Sequence, residues 1–255
     1  MATFVLIHGA WHGGWVWQPV STQLQQYGHK VFCPSMLGCG ERAYLIGQMP
    51  TIDDIVEDLV SHIRQFLVRQ RNLQEAQQLV LVGHSFGGAV MSAVAEQLAE
   101  YVGALIYLDA AVLQGGESMF SCMSETLAAE RKQLALETSD GLSLPVPTGE
   151  QLGVLDGNVW QWLRTKLTVQ SVSSYDSKLT LQSNPGSGFP CAYVVCKKPL
   201  FEPLEWARQR VAHSYWSESW HIVPIATGHD AMVTAPDTLT AIILELAQRL
   251  LQRKG

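Results

Sequence analysis

A mainly parallel α/β fold with an inserted helical cap is what this sequence predicts, and three observations carry the prediction. Short β-branched and apolar runs alternate with helical runs from Thr3 to about Asp109, the pattern of right-handed βαβ crossovers with helices on both faces of a sheet. The alternation breaks down from about Val112 to Gly188 and resumes at Cys191. The apolar run Leu79-Val80-Leu81-Val82 empties into Gly83-His84-Ser85-Phe86-Gly87-Gly88 and then an Ala-rich stretch, which fits G-x-S-x-G at a sharp strand-to-helix turn. The boundaries that follow are a core of 1–111 and 189–255 and an inserted cap of 112–188.

Taken in order, Thr3 to Ile7 reads as a buried strand that runs into the glycine-rich loop His8-Gly9-Ala10-Trp11-His12-Gly13-Gly14-Trp15. Such a loop can present backbone N–H groups to an anion. Val16 to Gln26 is predicted helical with Gly28 beyond its end, and His29 to Cys33 is the second strand. Pro34 to Pro50 reads as loop. Thr51 followed by Asp54 is a capping-box pattern, and Ile55, Val56, Leu59, Val60, Ile63, Phe66 and Leu67 recur at helical spacing. Asp53, Asp54, Glu57 and Asp58 lie on its first turns, where carboxylates complement the helix dipole and need no metal. After the G-x-S-x-G turn come a helix over Ala89 to Ala99 and a strand over Ala104 to Leu108, closed by Asp109.

Within 112–188, Glu117 to Glu137 and Asn158 to Thr168 are predicted helical and Ser171 to Ser177 polar linker. Met119, Phe120, Leu155, Trp160, Trp162 and Leu163 are its candidates for lining a pocket from above, with fastening the cap to the core as the alternative for each. The core resumes with a strand over Cys191 to Cys196, a helix over Glu202 to Ala212 and a strand over His221 to Ala226. Thr227-Gly228-His229-Asp230-Ala231-Met232 follows the last strand, and Pro236 to Leu251 closes the chain as a helix.

The 255 residues, 47% of them hydrophobic and 16% charged, suffice for one large core. A formal net charge of −6 with scattered Lys and Arg gives nucleic-acid binding no support. Five cysteines without C-x-x-C spacing (Cys33, Cys39, Cys122, Cys191 and Cys196) argue against a disulfide framework and a zinc site, and for reduced thiols in a cytoplasmic protein. The apolar start Phe4 to Ile7 is shorter than a signal-peptide core, and no run approaches a membrane span, so membrane insertion is not expected. A homodimer is compatible with the sequence, which does not fix the oligomeric state.

Four segments together resemble the α/β-hydrolase family from end to end: His8-Gly9-Ala10-Trp11-His12-Gly13-Gly14-Trp15, Gly38-Cys39-Gly40-Glu41-Arg42, Gly83-His84-Ser85-Phe86-Gly87 and Gly228-His229-Asp230. The closest resemblance is to its small esterase branch, with plant methyl-ester esterases, hydroxynitrile lyases and bacterial carboxylesterases. The resemblance implies a six-stranded sheet lacking the family's antiparallel N-terminal pair, and a serine esterase with no cofactor or metal. Ser85 is then the nucleophile, and His229, the histidine following the last strand, the base. The N–H groups of Phe86 and of Ala10 or its neighbour form the oxyanion hole.

The acid departs from the family's commonest pattern, because the loop after Cys196 reads Lys197-Lys198-Pro199-Leu200-Phe201-Glu202-Pro203 without an aspartate. Another arrangement in the same superfamily puts the acid at the end of the preceding strand, the place Leu108-Asp109-Ala110 occupies, so this resemblance implies Asp109, and a buried carboxylate there needs a partner such as an imidazole N–H. Glu202 and Glu117 are the reserves, and Asp230 is too close to His229 in sequence. Trp11, Met119, Trp160 and Trp162 are the candidate substrate-binding residues. The expected substrate is a small to medium apolar ester, such as a methyl or aryl ester, or a carbamate, cleaved through an acyl-enzyme. A thioesterase or amidase would use the same residues. A hydroxynitrile lyase would carry threonine at Gly9 and lysine after His229, and a ligand receptor would bind without turnover.

Overall fold

Six parallel strands form the central sheet of the computed structural model, which describes residues 1–69 and 78–252. They are β1 (Thr3–Ile7), β2 (Lys30–Phe32), β3 (Leu79–His84), β4 (Val102–Leu108), β5 (Cys191–Cys196) and β6 (His221–Ile225), in the spatial order β2-β1-β3-β4-β5-β6. Every neighbouring pair is parallel. The chain moves outward from β1 to β2 and then returns across β1 to β3, so the order reverses between β1 and β3. A crevice opens at such a switch point outside the carboxyl ends of the strands. The loops after β1 and β3 border it.

Residues of the sheet divide between two cores with the period of two that strands impose. Val5, Ile7, Leu79, Leu81, Leu105, Tyr107, Tyr193 and Val195 face one core; Phe4, Leu6, Val80, Val82, Ile106, Leu108, Ala192 and Val194 face the other. Helices α1 (Gln18–Gln26), α2 (Ile52–Arg69), α3 (Phe86–Gln97), α4 (Glu205–His213) and α5 (Pro236–Leu251) cover the two faces. α2, α3 and α4 pack on the first core, and α1 and α5 on the second. Residues Phe86 to Ala95 of α3 are all buried, which explains their small, apolar composition. The central strands β1, β3, β4 and β5 are wholly buried, whereas β2 and β6 at the edges are partly exposed.

Several elements differ from the sequence expectation, each for a local reason. The stretch read as loop before α2 contains a 3-10 helix, Gly40–Gln48, and the Thr51/Asp54 capping box is formed. Its Glu41 accepts from the Ser35 hydroxyl at 2.6 Å and Arg42 donates to Asp58 at 2.7 Å, so the Gly-x-Gly-Glu-Arg segment anchors this loop. The helix expected over Glu117 to Glu137 is two, Met119–Cys122 and Glu125–Ser139, because Ser118 and Ser124 each accept a backbone N–H as N-caps. The helix expected over Asn158 to Thr168 is Gly157–Leu163, capped by Asp156. The segment read as polar linker is instead a short strand and helix, Gln170–Ser171 and Val172–Asp176. Its polarity is internal: the Gln170 amide donates to Ser174 Oγ at 2.7 Å, and Ser174 donates to the Ser171 carbonyl at 2.7 Å.

The first loop and the turn after β3 meet backbone to backbone. A Cβ on Gly87 would lie 2.4 Å from the His8 carbonyl oxygen and 2.8 Å from that of Ile7. Gly87→Ala is therefore expected to cost about 1–3 kcal/mol of stability by overpacking, a drop of about 2–12 °C in thermal midpoint for a chain of this size. Gly157→Ala, whose added methyl meets nothing within 4 Å, is the control for thermal denaturation and should leave the midpoint unchanged.

Candidate active site

Ser85 sits at the end of β3 with φ 52° and ψ −125°, a strained conformation for a residue with a Cβ. Three backbone hydrogen bonds hold it there. Its N–H donates to the Leu108 carbonyl at 3.1 Å, and its carbonyl accepts from Gly88 at 3.0 Å and from Ala111 at 2.9 Å. Phe86 is the first residue of α3, so its N–H has no intrahelical acceptor. Ser85 is thereby presented at a helix N-terminus, with a backbone donor beside it.

The loop after β1 is strained at Trp11, not at a glycine: Trp11 has φ 65°. Its N–H donates to Gln170 Oε1 at 3.3 Å, its indole N–H to the Leu144 carbonyl at 3.3 Å, and its carbonyl accepts from Thr168 at 2.8 Å. All three partners belong to the 112–188 segment. The Trp11 N–H is thus engaged, whereas the Ala10 N–H has no acceptor among the described residues. A Cβ at Gly9 would stand 2.8 Å from Ser85 Cβ and 2.8 Å from His84 Nδ1, so this loop lies directly against the serine.

Asp109 lies at the end of β4 and is fully buried, with φ 39° and its N–H donating to the Val194 carbonyl at 2.8 Å. His229 Nδ1–H donates to Asp109 Oδ2 at 2.8 Å, which leaves Nε2 as the other ring atom. Asp109 Oδ1 accepts from Arg208 at 3.2 Å, and the same guanidinium donates to the Phe201 carbonyl at 2.9 Å. Phe201 in turn stacks on His229, with ring centroids 3.8 Å apart and planes at 12°. Neither Arg208 nor Phe201 was singled out from the sequence. Phe201 stands in the very loop noted for lacking an aspartate, while Arg208, on α4, gave no signal in one dimension. The Ser85 hydroxyl makes no hydrogen bond among the described residues, so the serine and His229 are not joined here. Unliganded hydrolases often show this bond long or open.

The reserve acids are occupied elsewhere. Glu117 pairs with Arg210 at 2.9 Å and accepts from the Gln114 N–H at 2.8 Å; burial works against its charge, but these partners hold it below the usual carboxylate range. Glu202 borders an outer groove and touches no histidine among the described residues. Asp230, which follows His229 in sequence, turns away to His12 Nε2 at 3.2 Å.

Three other histidines are buried around the site. His8 Nδ1–H donates to the Gly9 carbonyl at 2.7 Å and its Nε2 accepts from the Met36 N–H at 2.9 Å, a neutral tautomer whose pKa burial pushes down to about 3. His84 Nε2–H donates to the His229 carbonyl at 3.1 Å, and burial, then the neighbouring histidines, hold it well below its usual value. His84, His229 and Asp230 bring possible metal-donor atoms within 4.8 Å of one another. One donor of each is already committed, to the His229 carbonyl, Asp109 and His12 respectively.

Ser85 opens on a small cavity walled by Trp11, Met119, Met123, Tyr175, Phe201, Leu204 and one charged residue, Arg131. It leaves about 10 Å³ for the centre of a water molecule, room for about one. A groove of about 790 Å³ adjoins it and shares Trp11, Arg131, Phe201 and Pro203 as a common wall. Trp11 and Met119 thus line the space next to Ser85. Trp160 and Trp162 line neither space: Trp160 packs over Gly149, and Trp162 stands edge-on to Trp15, 39% exposed. Their helix lies on the second core's side, which spacing along the sequence could not reveal.

The alpha/beta hydrolase family model matches residues 4–242 of the chain. The chain belongs to this family. Among curated relatives, a carbendazim hydrolyzing esterase of Nocardioides sp. (strain SG-4G) is 30% identical over 94% of this chain and 97% of its own length. Methylesterase 18 of Arabidopsis thaliana is 31% identical, with 97% of each chain covered. An extracellular α/β-hydrolase from a Paenibacillus species superposes with a TM-score of 0.80 at 20% identity, covering 98% of this chain and 99% of that one, a likeness of fold. The α/β-hydrolase sheet here has the six strands expected, all parallel. Among the described residues no helix is long and apolar enough to cross a membrane.

The buried neutral histidines of this α/β-hydrolase set an acid limit on its stability. A histidine whose folded pKa is depressed contributes stability that is fully present above its unfolded value near 6.5 and is lost as pH falls toward the folded value. For His8, with a folded value of about 3, the loss between pH 7.5 and 5 is about 2 kcal/mol, and His84 adds to it in the same direction. Thermal midpoints measured across that range should fall more steeply for the wild type than for His8→Gln. Equal slopes would show that His8 does not carry the effect.

Proposed function

We propose that the chain is a cofactor-independent serine esterase whose triad is Ser85, His229 and Asp109 and whose oxyanion hole is the N–H pair of Phe86 and Ala10. The observation that carries this reading is the 2.8 Å bond from His229 Nδ1–H to the buried Asp109. It fixes the tautomer that leaves Nε2 able to accept a proton. In the reaction, Nε2 takes the Ser85 proton as Oγ adds to the ester carbonyl carbon, and the carbonyl oxygen becomes an oxyanion facing the two N–H groups. Collapse breaks the bond to the alkoxy group, which leaves as alcohol with the proton from His229. Water, activated by the same imidazole, then releases the acid and regenerates Ser85.

Substrate binding is what brings the hydroxyl and imidazole into contact on this reading, at the small cavity beside Ser85. The 112–188 segment acts as its cap, with Trp11 and Met119 as substrate-binding residues. The named activities of the relatives, a carbendazim hydrolyzing esterase and a methylesterase, support a small ester or carbamate with a compact leaving group. The groove of about 790 Å³ suits the larger part of such a molecule. A lyase fits less well: a threonine in place of Gly9 would drive its Cβ into Ser85 and His84. The five unpaired cysteines agree with a cytoplasmic setting, which is part of the same proposal.

Ser85→Ala is expected to abolish turnover of chromogenic methyl and aryl esters and labelling by an organophosphonate, while the thermal midpoint stays within a few degrees. Near-normal turnover would overturn the nucleophile assignment. Asp109→Asn should fold and lose up to about ten-thousandfold in kcat, because the imidazole then adopts the wrong tautomer. Retention of more than a tenth of the wild-type rate in steady-state assays would move the acid elsewhere.

A further inference from the structure

We propose that His12 and Asp230 form a buried ion pair that positions the oxyanion loop, making both positioning residues for the reaction; the kinetic part of this rests on the esterase reading above. The geometry decides the charge state. His12 Nδ1 lies 2.7 Å from the Ala10 carbonyl oxygen and Nε2 lies 3.2 Å from Asp230 Oδ2. The Ala10 carbonyl and an ionised Asp230 both accept, so beside the carboxylate both ring nitrogens donate, and only the imidazolium does that. The side chains of His12 and Asp230 are 1% and 0% exposed, so the cation and the carboxylate depend on each other for compensation of lost hydration.

The groups facing the pair are consistent with this assignment. The His84 ring is 6.0 Å from that of His12, and its Nε2 is 3.8 Å from Asp230 Oδ1. His84 stays neutral, since its one N–H is given to the His229 carbonyl, and His8 is neutral by the tautomer described above. Trp15 covers the remaining side at 6.1 Å. Burial disfavours the charge on His12, and the Asp230 carboxylate and Ala10 carbonyl outweigh it, holding the pKa above its usual value.

The consequence lies in what the pair grips. The Ala10–Trp11 peptide is held at both ends, its carbonyl by His12 and its N–H by Gln170 at 3.3 Å. The preceding peptide carries the Ala10 N–H, and its carbonyl, on Gly9, is held by His8. Two successive peptide planes are thus fixed by two histidines, one neutral and one charged, and the charged one is tied to the residue after His229. One ion pair therefore joins the loop that supplies the base to the loop that supplies an oxyanion donor.

The test has two arms. In ¹⁵N NMR of the labelled wild-type protein at pH 7.5, His12 is expected to show both ring nitrogens protonated, and in Asp230→Asn only one. A neutral His12 in the wild type would overturn the ion pair, and this arm stands whether or not the protein turns over esters. In the second arm, His12→Gln should lower kcat on an aryl ester about a hundredfold with KM little changed, the scale of a lost oxyanion donor. Binding of a trifluoromethyl ketone should weaken by the same factor, with the acid limb of the pH–rate profile unmoved. A kcat within threefold of wild type would overturn the positioning role. Absence of any ester turnover by the wild type would instead sink the functional reading and leave the pair to the NMR arm.

Discussion

Direct contact between two backbone segments is the constraint on which the rest of the site depends. The loop after β1 and the turn after β3 approach so closely that neither Gly9 nor Gly87 has room for a Cβ. Adjacent parallel strands at the sheet's switch point bring them together, but strand pairing alone would leave side chains between them. The glycines remove that spacer, so a helix N-terminus and a loop N–H come within reach of one small volume next to Ser85. Strain at Ser85 and Trp11 is tolerated because the N–H and carbonyl of each residue are committed to partners.

Around this contact the protein uses histidine for several purposes, and burial separates them. His8 and His84 are kept neutral and act as fixed hydrogen-bonding struts. His12, with acceptors on both nitrogens, is the charged member. His229 is sandwiched between Phe201 and His84, with centroid distances of 3.8 Å and 4.5 Å, so its ring plane is set by packing while Asp109 sets its tautomer. Arg208 contributes to both, since it holds the second oxygen of Asp109 and the carbonyl of Phe201.

Much of this was legible in one dimension. Short apolar and β-branched runs located all six strands, because the central ones are buried on both faces and are therefore largely apolar. The strand-end positions of Ser85, Asp109 and His229 followed from those strands, and the 2.8 Å contact between Asp109 and His229 is the geometry that the missing aspartate after Cys196 implied. What escaped was whatever depends on contacts between distant segments. Ser174 looked like linker since its hydroxyl is satisfied internally, by Gln170 and the Ser171 carbonyl. Arg208 looked like an ordinary helix charge. Trp160 and Trp162 had the right composition for a pocket wall, but composition carries no information about which side of the sheet a helix will cover.

The way the 112–188 segment grips Trp11 has a consequence for the evolution of specificity in this fold. Leu144 lies well before Thr168 and Gln170 in the chain, yet all three hold one residue of the first loop. Thr168 and Gln170 also reach Gly40 and Cys39. Exchange of the whole 112–188 segment between relatives would therefore transplant supports of the core along with the groove wall, and recombination at its two ends would not be modular. Divergence by point substitution on the groove side, at positions such as Leu127, Val146 or Leu200, leaves those supports in place. Change in this lineage is thereby channelled toward the outer groove, while the short strand Gln170–Ser171 stays bound to the fate of the core.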